Sequence, residues 1–243
     1  MKIKAILFDS GRVLNFPKTG NWFIPPDFFQ AVNRESFRKT PRYRKNQAFH
    51  RACAYLNSKK RIVNREQELQ LFKAYYRILS KKLPELNLNT QKADYLAHNL
   101  VFCPAKYQFY DDALPVLKKL SVEYKLAVVS DAWPSLEEVF EKAGMRTYFS
   151  SFVISSVLGT AKPDSVMYQT ALNELGVSAQ EALFVDDQAK NCKGAARLGI
   201  HAVLLCRGKA RYTFYRLTEF LRNYKVINNL IQINWVLKRV EQR

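Results

Sequence analysis

The chain has 243 residues, of which 48% are hydrophobic and 25% are charged, a balance that is ordinary for a globular protein and excludes a low-complexity or fibrous chain. No apolar run approaches the roughly 20 residues of a membrane-spanning helix, and the first run, which ends at Asp9, is too short for a secretory signal. The four cysteines have no Cys-x-x-Cys spacing and indicate free thiols in a reducing compartment. We therefore expect a soluble cytoplasmic protein without a membrane partner.

The net charge of +18 is concentrated in two segments. Residues 34–66 carry an excess of nine positive charges, and residues 207–243 carry an excess of seven. A positive field raises the local concentration of anions, so these segments could attract a phosphorylated substrate. Solvated faces that aid solubility are the more favoured interpretation, and nucleic acid or acidic lipid is the least favoured because charge alone does not identify the anion.

The first predicted strand is the apolar run of residues 5–8. Such a run suits a strand that is buried on both faces of a parallel sheet. Asp9 follows it and would lie just past the carboxyl end of the strand, where open α/β sheets bind ligands. On this stretch alone, Asp9 could equally begin a turn in which Gly11 supplies a permissive φ.

The pattern changes after Leu14. Residues 15–26 contain three prolines and a glycine and predict a linker. From about residue 27 to residue 99 the apolar residues recur at helical spacing, and no convincing strand interrupts them. We therefore expect an all-α domain of residues 16–101, inserted after the first strand.

Strand and helix patterns alternate again from about residue 102. Apolar runs at residues 125–129, 152–154, 182–185 and 201–205 predict strands with helices between them. This alternation predicts an α/β fold with a Rossmann-like parallel sheet and helices on both faces, formed by residues 1–15 and 102–243.

Two helix starts in this part carry capping signals, and the end of the chain is less regular. Asp112 is predicted to cap the helix that follows it, and Ser135 and Glu138 have the spacing of a capping box. Residues 217–224 favour a terminal helix, and residues 227–240 favour a further amphipathic stretch that could pack on the core or on a partner chain.

Polar side chains follow three of the predicted strands. They are Asp9, Ser130 and the adjacent acids Asp186 and Asp187, and Lys162 lies in a loop before a helix. In a parallel sheet such strand ends converge on one crevice. Adjacent carboxylates repel one another unless a cation lies beside them, and hard oxygen ligands favour Mg²⁺. A carboxylate at Asp9 suits a nucleophile or metal ligand, whereas a hydroxyl and an ammonium group suit phosphoryl oxygens.

These segments resemble the four motifs of the haloacid dehalogenase-like superfamily, in the order of the family. They are Phe-Asp-Ser-Gly-Arg-Val-Leu at residues 8–14, Val-Val-Ser-Asp at residues 128–131, Lys-Pro at residues 162–163 and Phe-Val-Asp-Asp at residues 184–187. The helical insert falls where the C1 cap of the family lies, and the resemblance covers about residues 1–206. It implies a haloacid dehalogenase-like fold with a helical cap that closes over the substrate.

The resemblance also implies a phosphatase that acts on a small phosphorylated metabolite, such as a sugar phosphate or a nucleotide. Asp9 would attack phosphorus and form an aspartyl-phosphate. Mg²⁺ would be held by Asp9, the main-chain carbonyl of Gly11 and Asp186, with Asp187 binding directly or through a water molecule.

The phosphoryl group would be held by Ser130 and Lys162, which complete the expected catalytic set with Asp9. Asp131 is included among the expected substrate-binding residues because it lies in the second motif. Arg12 would contact the substrate phosphate or pair with an acidic side chain, and the sequence favours neither role.

Gly11 departs from the family pattern, in which phosphatases usually carry a second aspartate two residues after the nucleophile. A general acid contributes about 10²–10⁴-fold to a rate. Its loss leaves three alternatives: a substrate with a good leaving group, such as a sugar 1-phosphate or an acyl phosphate; a proton donor from the cap, such as His50; or weak or absent catalysis.

Other functions remain as alternatives to the phosphatase. A phosphomutase needs the second aspartate more acutely and is therefore less favoured. A degenerate, non-catalytic member that binds an anionic partner is favoured by Gly11 and the basic segments but disfavoured by the intact motif residues. The paired acids Asp186 and Asp187 suit a cation site and argue against a dehalogenase, which needs no Mg²⁺.

Overall fold

The chain divides into two compact units, and the computed structural model describes residues 2–59 and 61–242. The sheet unit comprises Met1–Phe16, Phe109–Ala132 and Phe140–Arg243. The helical unit comprises Pro17–Gln108 and Trp133–Val139. Among the described residues, no helix has both the length and the apolar character that crossing a membrane requires.

The strands and α-helices are numbered in chain order. The strands are β1 (Ala5–Phe8), β2 (Asn15–Pro17), β3 (Tyr107–Phe109), β4 (Lys125–Ser130), β5 (Ser151–Ile154), β6 (Ala182–Asp186), β7 (His201–Leu205) and β8 (Tyr224–Ile227). The helices are α1 (Phe28–Ala31), α2 (Arg34–Lys39), α3 (Arg42–Asn57), α4 (Arg65–Lys82), α5 (Thr90–Phe102), α6 (Ala113–Leu120), α7 (Leu136–Lys142), α8 (Ser155–Leu158), α9 (Ser165–Leu175), α10 (Ala189–Arg197), α11 (Lys209–Leu217) and α12 (Ile233–Glu241).

A six-stranded parallel sheet forms the centre of the sheet unit, in the order β5-β4-β1-β6-β7-β8. β1 lies between β4 and β6, with Phe8 beside Val128 on one side and Val185 on the other. All four residues of β1 are buried, as a strand covered on both faces requires. The predicted α/β fold with a parallel sheet flanked by helices is confirmed.

The end of the chain differs from the sequence prediction. Residues 217–224 do not form the predicted α-helix: α11 ends at Leu217, Glu219–Leu221 form a single 3-10 turn, and Tyr224 begins β8. β8 pairs with β7, with Tyr224 beside Ala202, and its residues Tyr224, Val226 and Ile227 are buried. A strand of four residues is too short to show a clear period, and the free edge of β7 supplies the backbone partners that decide its structure.

The predicted cap at Asp112 is wrong, and the Ser135 N–H does not make the predicted capping-box bond to Glu138. The Asp112 carboxylate makes no capping bond to α6 and instead accepts hydrogen bonds from the Arg207 guanidinium at 2.8 and 3.1 Å and from the Leu230 N–H at 2.9 Å. The Ser135 N–H donates to Glu68 at 2.8 Å and not to Glu138. In both cases a partner distant in sequence outcompetes the local bond.

The helical unit contains α1 to α5, packed around a core that is rich in aromatic side chains. Phe72, Tyr75 and Tyr76 on α4 are buried and face the neighbouring helices. Asn64 and Asn89 cap the starts of α4 and α5, where their side chains accept the N–H groups of Gln67 and Lys92.

A buried polar network within the helical unit joins α4 to the segment that precedes α7. Lys106 Nζ donates to Ser135 Oγ at 2.6 Å and to the Leu100 carbonyl at 2.7 Å. Ser135 Oγ in turn donates to Glu68 Oε1 at 2.6 Å. Burial lowers the pKa of Lys106 to about 8, although the charge of Glu68 opposes this change.

We expect Lys106→Met to destabilise the protein by about 3 kcal/mol, because the buried Glu68 carboxylate loses the charge that compensates it. Chemical denaturation measures the effect, and Lys81→Met, a change of an exposed lysine in the same unit, serves as the control. The double variant Lys106→Met/Glu68→Leu should recover part of the loss. A double variant that is less stable than Lys106→Met would contradict this account.

Candidate active site

Three aspartates meet at the carboxyl edge of the central strands. Asp9 follows β1, Asp186 is the last residue of β6, and Asp187 comes next in the chain. One carboxylate oxygen of each residue lies within 4.8 Å of those of the other two, and all three residues are buried. The cluster forms because β1 and β6 are adjacent and parallel, so that their ends deliver both acidic segments to one place.

Lys162 lies among these carboxylates. Its Nζ is 2.7 Å from Asp9 Oδ1 and 2.8 Å from Asp186 Oδ2, and its side chain is only 1% exposed. Burial opposes the charge of Lys162, but the attraction of Asp9 and Asp186 outweighs burial and holds the pKa of the lysine above its usual range. Lys162 therefore stays protonated and neutralises part of the negative charge of the cluster.

Burial also has the largest effect on the pKa of Asp9, the nucleophile predicted from the sequence. It raises the pKa of Asp9 to about 7, with Lys162 acting in the opposite direction and repulsion from Asp186 and Asp187 adding to the rise. Burial and repulsion by Asp186 likewise raise the pKa of Asp187, against the charges of Arg211 and Arg12. The cluster thus holds more negative charge than its cations compensate.

The loop after Asp9 is compact. The Ser10 carbonyl accepts the N–H groups of Leu14 at 2.8 Å and Asn15 at 3.0 Å, and Asn15 Nδ2 donates to Ser10 Oγ at 2.8 Å. Arg12 adopts a left-handed φ of 61° within this turn and is exposed. Gly11 has no side chain that could donate a proton next to Asp9.

The second and third predicted motifs meet beside the cluster. Ser130 is the last residue of β4, and its side chain is buried. Asp131 Oδ1 accepts the main-chain N–H of Lys162 at 2.9 Å, and burial raises the pKa of Asp131 despite the opposing charge of Lys162. In this structure Asp131 therefore positions the loop that carries Lys162.

Two residues at the site were missed by the sequence analysis. Asn191 on α10 is buried and donates to Asp186 Oδ2 at 3.0 Å, next to the Gln188 N–H, which donates to Asp186 Oδ1 at 2.6 Å. Arg211 on α11 donates to the Asp187 carbonyl and lies 3.8 Å from the Asp187 carboxylate. The sequence holds a signal for Asn191, because this polar residue lies within one turn of the start of a helix that is rich in small residues. No local pattern in the sequence points to Arg211.

The donor set suits a hard divalent cation. Asp9, Asp186 and Asp187 offer only oxygen ligands, and the charge of Lys162 leaves the cluster negative. Oxygen ligands of this kind favour Mg²⁺ over softer metals. A cation bound there would offset the repulsion that raises the pKa values of Asp9 and Asp187. His50, the predicted alternative proton donor, lies exposed on α3 of the helical unit.

Comparisons with known proteins point to one family. The family model for haloacid dehalogenase-like hydrolases matches residues 26–199. The glyceraldehyde 3-phosphate phosphatase of Methanopyrus kandleri is 33% identical over 103 residues, covering 41% of this chain and 44% of the relative. The phosphoserine phosphatase of Thermus thermophilus is 30% identical over 135 residues, covering 54% of each chain. The chain thus spans about half the length of the curated relatives it matches.

Solved structures show the same fold over nearly the whole chain. A phosphatase of the haloacid dehalogenase family from Thermococcus onnurineus superposes with a TM-score of 0.63 at 22% identity, covering 97% of this chain and 98% of the other. A 2-haloacid dehalogenase from Pseudomonas syringae superposes with a TM-score of 0.64 at 20% identity, covering 98% and 99%. At these identities the likeness establishes the fold alone.

Proposed function

Because the chain belongs to the haloacid dehalogenase-like hydrolases, we propose that it is a Mg²⁺-dependent phosphatase that hydrolyses a small phosphorylated metabolite through an aspartyl-phosphate on Asp9. The observation that carries this proposal is the position of Lys162, with its Nζ 2.7 Å from Asp9 in a cluster of three buried carboxylates. Curated relatives named as phosphatases of glyceraldehyde 3-phosphate and phosphoserine support a small substrate. The four cysteines, all free, fit a cytoplasmic enzyme.

Asp9 would act as the nucleophile. Lys162 holds its Oδ1, which orients the carboxylate for attack through the second oxygen. In the first step the Asp9–phosphorus bond forms and the bond from phosphorus to the leaving oxygen breaks. In the second step water attacks phosphorus, the Asp9–phosphorus bond breaks, and inorganic phosphate and the free carboxylate are restored.

The remaining residues would stabilise the charge that moves in these steps. Asp9, Asp186, Asp187 and the Gly11 carbonyl would hold Mg²⁺, which when bound screens the repulsion between carboxylate and phosphate. Lys162 would balance the charge of the phosphoryl oxygens, and its two carboxylate contacts fix its position before substrate arrives. Ser130, at the end of the strand beside β1, would donate a hydrogen bond to a phosphoryl oxygen.

The lack of an acidic side chain at Gly11 indicates which kind of leaving group the substrate carries. Without a carboxylic acid two residues after Asp9, the leaving oxygen receives no proton from this position. Substrates whose leaving group departs without full protonation, such as a sugar 1-phosphate or an acyl phosphate, suit such a site. We expect them to react faster than phosphate esters of simple alcohols.

The proposal is tested by phosphate release from a panel of sugar phosphates, acyl phosphates, nucleotides, phosphoserine and p-nitrophenyl phosphate. Each assay runs with Mg²⁺ and with chelator, and a parallel series measures halide release from 2-haloacids. We expect phosphate release that chelator abolishes and Mg²⁺ restores. Halide release without added metal, or saturable binding of an anionic partner without turnover of any substrate, would overturn the proposal in favour of a dehalogenase or a non-catalytic binder.

A single ligand change tests the metal site more directly. Asp187→Asn removes one negative charge from the cluster, and we expect it to raise the Mg²⁺ concentration for half-maximal activity by at least about tenfold. Glu141→Gln removes the same charge from an exposed position on α7 and should leave this concentration unchanged. Equal Mg²⁺ dependence of the two variants would remove Asp187 from the metal site.

A further inference from the structure

A cavity of about 340 Å³ lies at the amino ends of β7 and β8, beside α12. His201 and Tyr224, the first residues of these strands, are among the residues that line it. Asp9 and Asp186 lie at the carboxyl edge of the same parallel sheet. Because a strand of five residues such as β7 extends roughly 15 Å, the cavity is separate from the aspartate cluster.

The cavity is cationic. Arg222, Lys225 and Arg239 line it, and no acidic residue does among the described part of the chain. Lys225 is paired with Glu219 at 3.3 Å, but for Arg222 and Arg239 the described residues place no carboxylate within 4.0 Å. Arg222 donates to the Thr218 hydroxyl at 3.1 Å, lies over the Tyr215 and Tyr224 rings and approaches the Tyr224 hydroxyl. Two guanidinium groups are therefore available to an anion.

The walls combine this charge with aromatic and apolar surface. Trp235 lies under the Arg239 guanidinium at 4.1 Å from its ring centre, so the pair presents a flat, cationic surface. Ile200 and Val236 contribute apolar surface to the wall of the cavity. A volume near 340 Å³ with a mainly apolar lining and a few convergent polar groups is typical of a small-molecule site.

One polar group in the wall lacks a partner. Tyr224 is only 3% exposed, and its hydroxyl makes no hydrogen bond of ordinary geometry among the described residues, with Arg222 as its charged neighbour. Buried polar groups in folded proteins are almost always satisfied, so this hydroxyl leaves a hydrogen bond to be made in addition to its approach to Arg222.

We propose that this cavity is a second ligand site that binds a small organic phosphate carrying a flat aromatic ring, of the kind a nucleoside monophosphate presents. Arg222 and Arg239 would hold the phosphate through charge-assisted hydrogen bonds. The flat ring would pack on the surface that Arg239 and Trp235 form together and on the apolar wall. The site requires neither Mg²⁺ nor the proposed aspartyl-phosphate chemistry.

Calorimetric titration with adenosine 5′-monophosphate in the presence of chelator tests the proposal on the full chain. We expect saturable binding that Arg239→Gln weakens by at least about tenfold, the size of one lost charge-assisted hydrogen bond. Lys238→Gln changes the neighbouring exposed lysine, which does not line the cavity, and should bind like the unmodified protein. Asp9→Asn should also bind normally, because Asp9 lies at the opposite edge of the sheet.

Two further ligands test the phosphate-binding part and the ring-binding part of the site separately. Adenosine lacks the phosphate and inorganic phosphate lacks the ring, so each should bind at least about tenfold more weakly than the nucleotide. Arg222→Gln provides a second variant, and thermal unfolding shows that each variant is folded. No saturable binding, equal binding by adenosine, equal binding by inorganic phosphate, or binding that neither arginine change weakens would each overturn the proposal.

Discussion

Asp9→Asn is expected to lower phosphate release by at least about 10⁴-fold, because an amide cannot replace the carboxylate that attacks phosphorus. The change keeps the size of the side chain and relieves its repulsion from Asp186 and Asp187. Lys162 keeps Asp186 as a partner at 2.8 Å. We therefore expect a folded protein whose loss of activity is chemical in origin.

Asp164→Asn is the matched control for this change. Asp164 caps α9 by accepting the Val166 N–H at 3.0 Å, and asparagine caps helices equally well. Activity of this variant should stay within about twofold of the unmodified protein, since an equivalent cap perturbs stability little. Turnover of Asp9→Asn at a similar rate to Asp164→Asn would rule out the nucleophilic role of Asp9.

Lys162→Met is expected to destabilise the fold by about 3–5 kcal/mol and to abolish activity, because it leaves Asp9 and Asp186 as buried carboxylates without their cation. Chemical denaturation in chelator measures the loss of stability. The double variant Lys162→Met/Asp9→Asn carries one buried charge fewer and should be more stable than Lys162→Met alone.

Lys193→Met, which changes an exposed lysine on α10, is the control for the lost charge and should alter stability by less than about 0.5 kcal/mol. If Lys162→Met were as stable as Lys193→Met, the compensating role of Lys162 would be wrong. If the double variant were no more stable than Lys162→Met, repulsion among the acids would not be the cause of the destabilisation.

Much of the site could be predicted because it is built from strand ends. The apolar run before Asp9 and the run before Asp186 each predict a buried strand, and adjacent parallel strands necessarily deliver their next residues to the same edge. The contact between Lys162 and these acids depends on the loop before α9, whose path no periodicity specifies. The sequence therefore indicated that Lys162 suits phosphoryl oxygens, but it did not indicate that Lys162 lies between two carboxylates.

The residues that could not be predicted contact partners that lie far away along the chain. Arg207 donates to the Val13 carbonyl at 2.7 Å and pairs with Asp112 at 2.8 Å. These contacts join the segment after β7 to the loop after Asp9. Arg211 reaches Asp187 from α11 in the same way. β8 forms only because β7 offers an unpaired edge, and no local pattern encodes that partner.

Mass spectrometry of the protein quenched in acid during turnover tests the central claim most directly. With Mg²⁺ and the best substrate of the panel, we predict that one phosphoryl group is attached to the peptide that contains Asp9. The adduct should be absent in Asp9→Asn and in chelator. Phosphate release with no adduct at Asp9 during turnover, or an adduct on a different residue, would contradict the proposed mechanism.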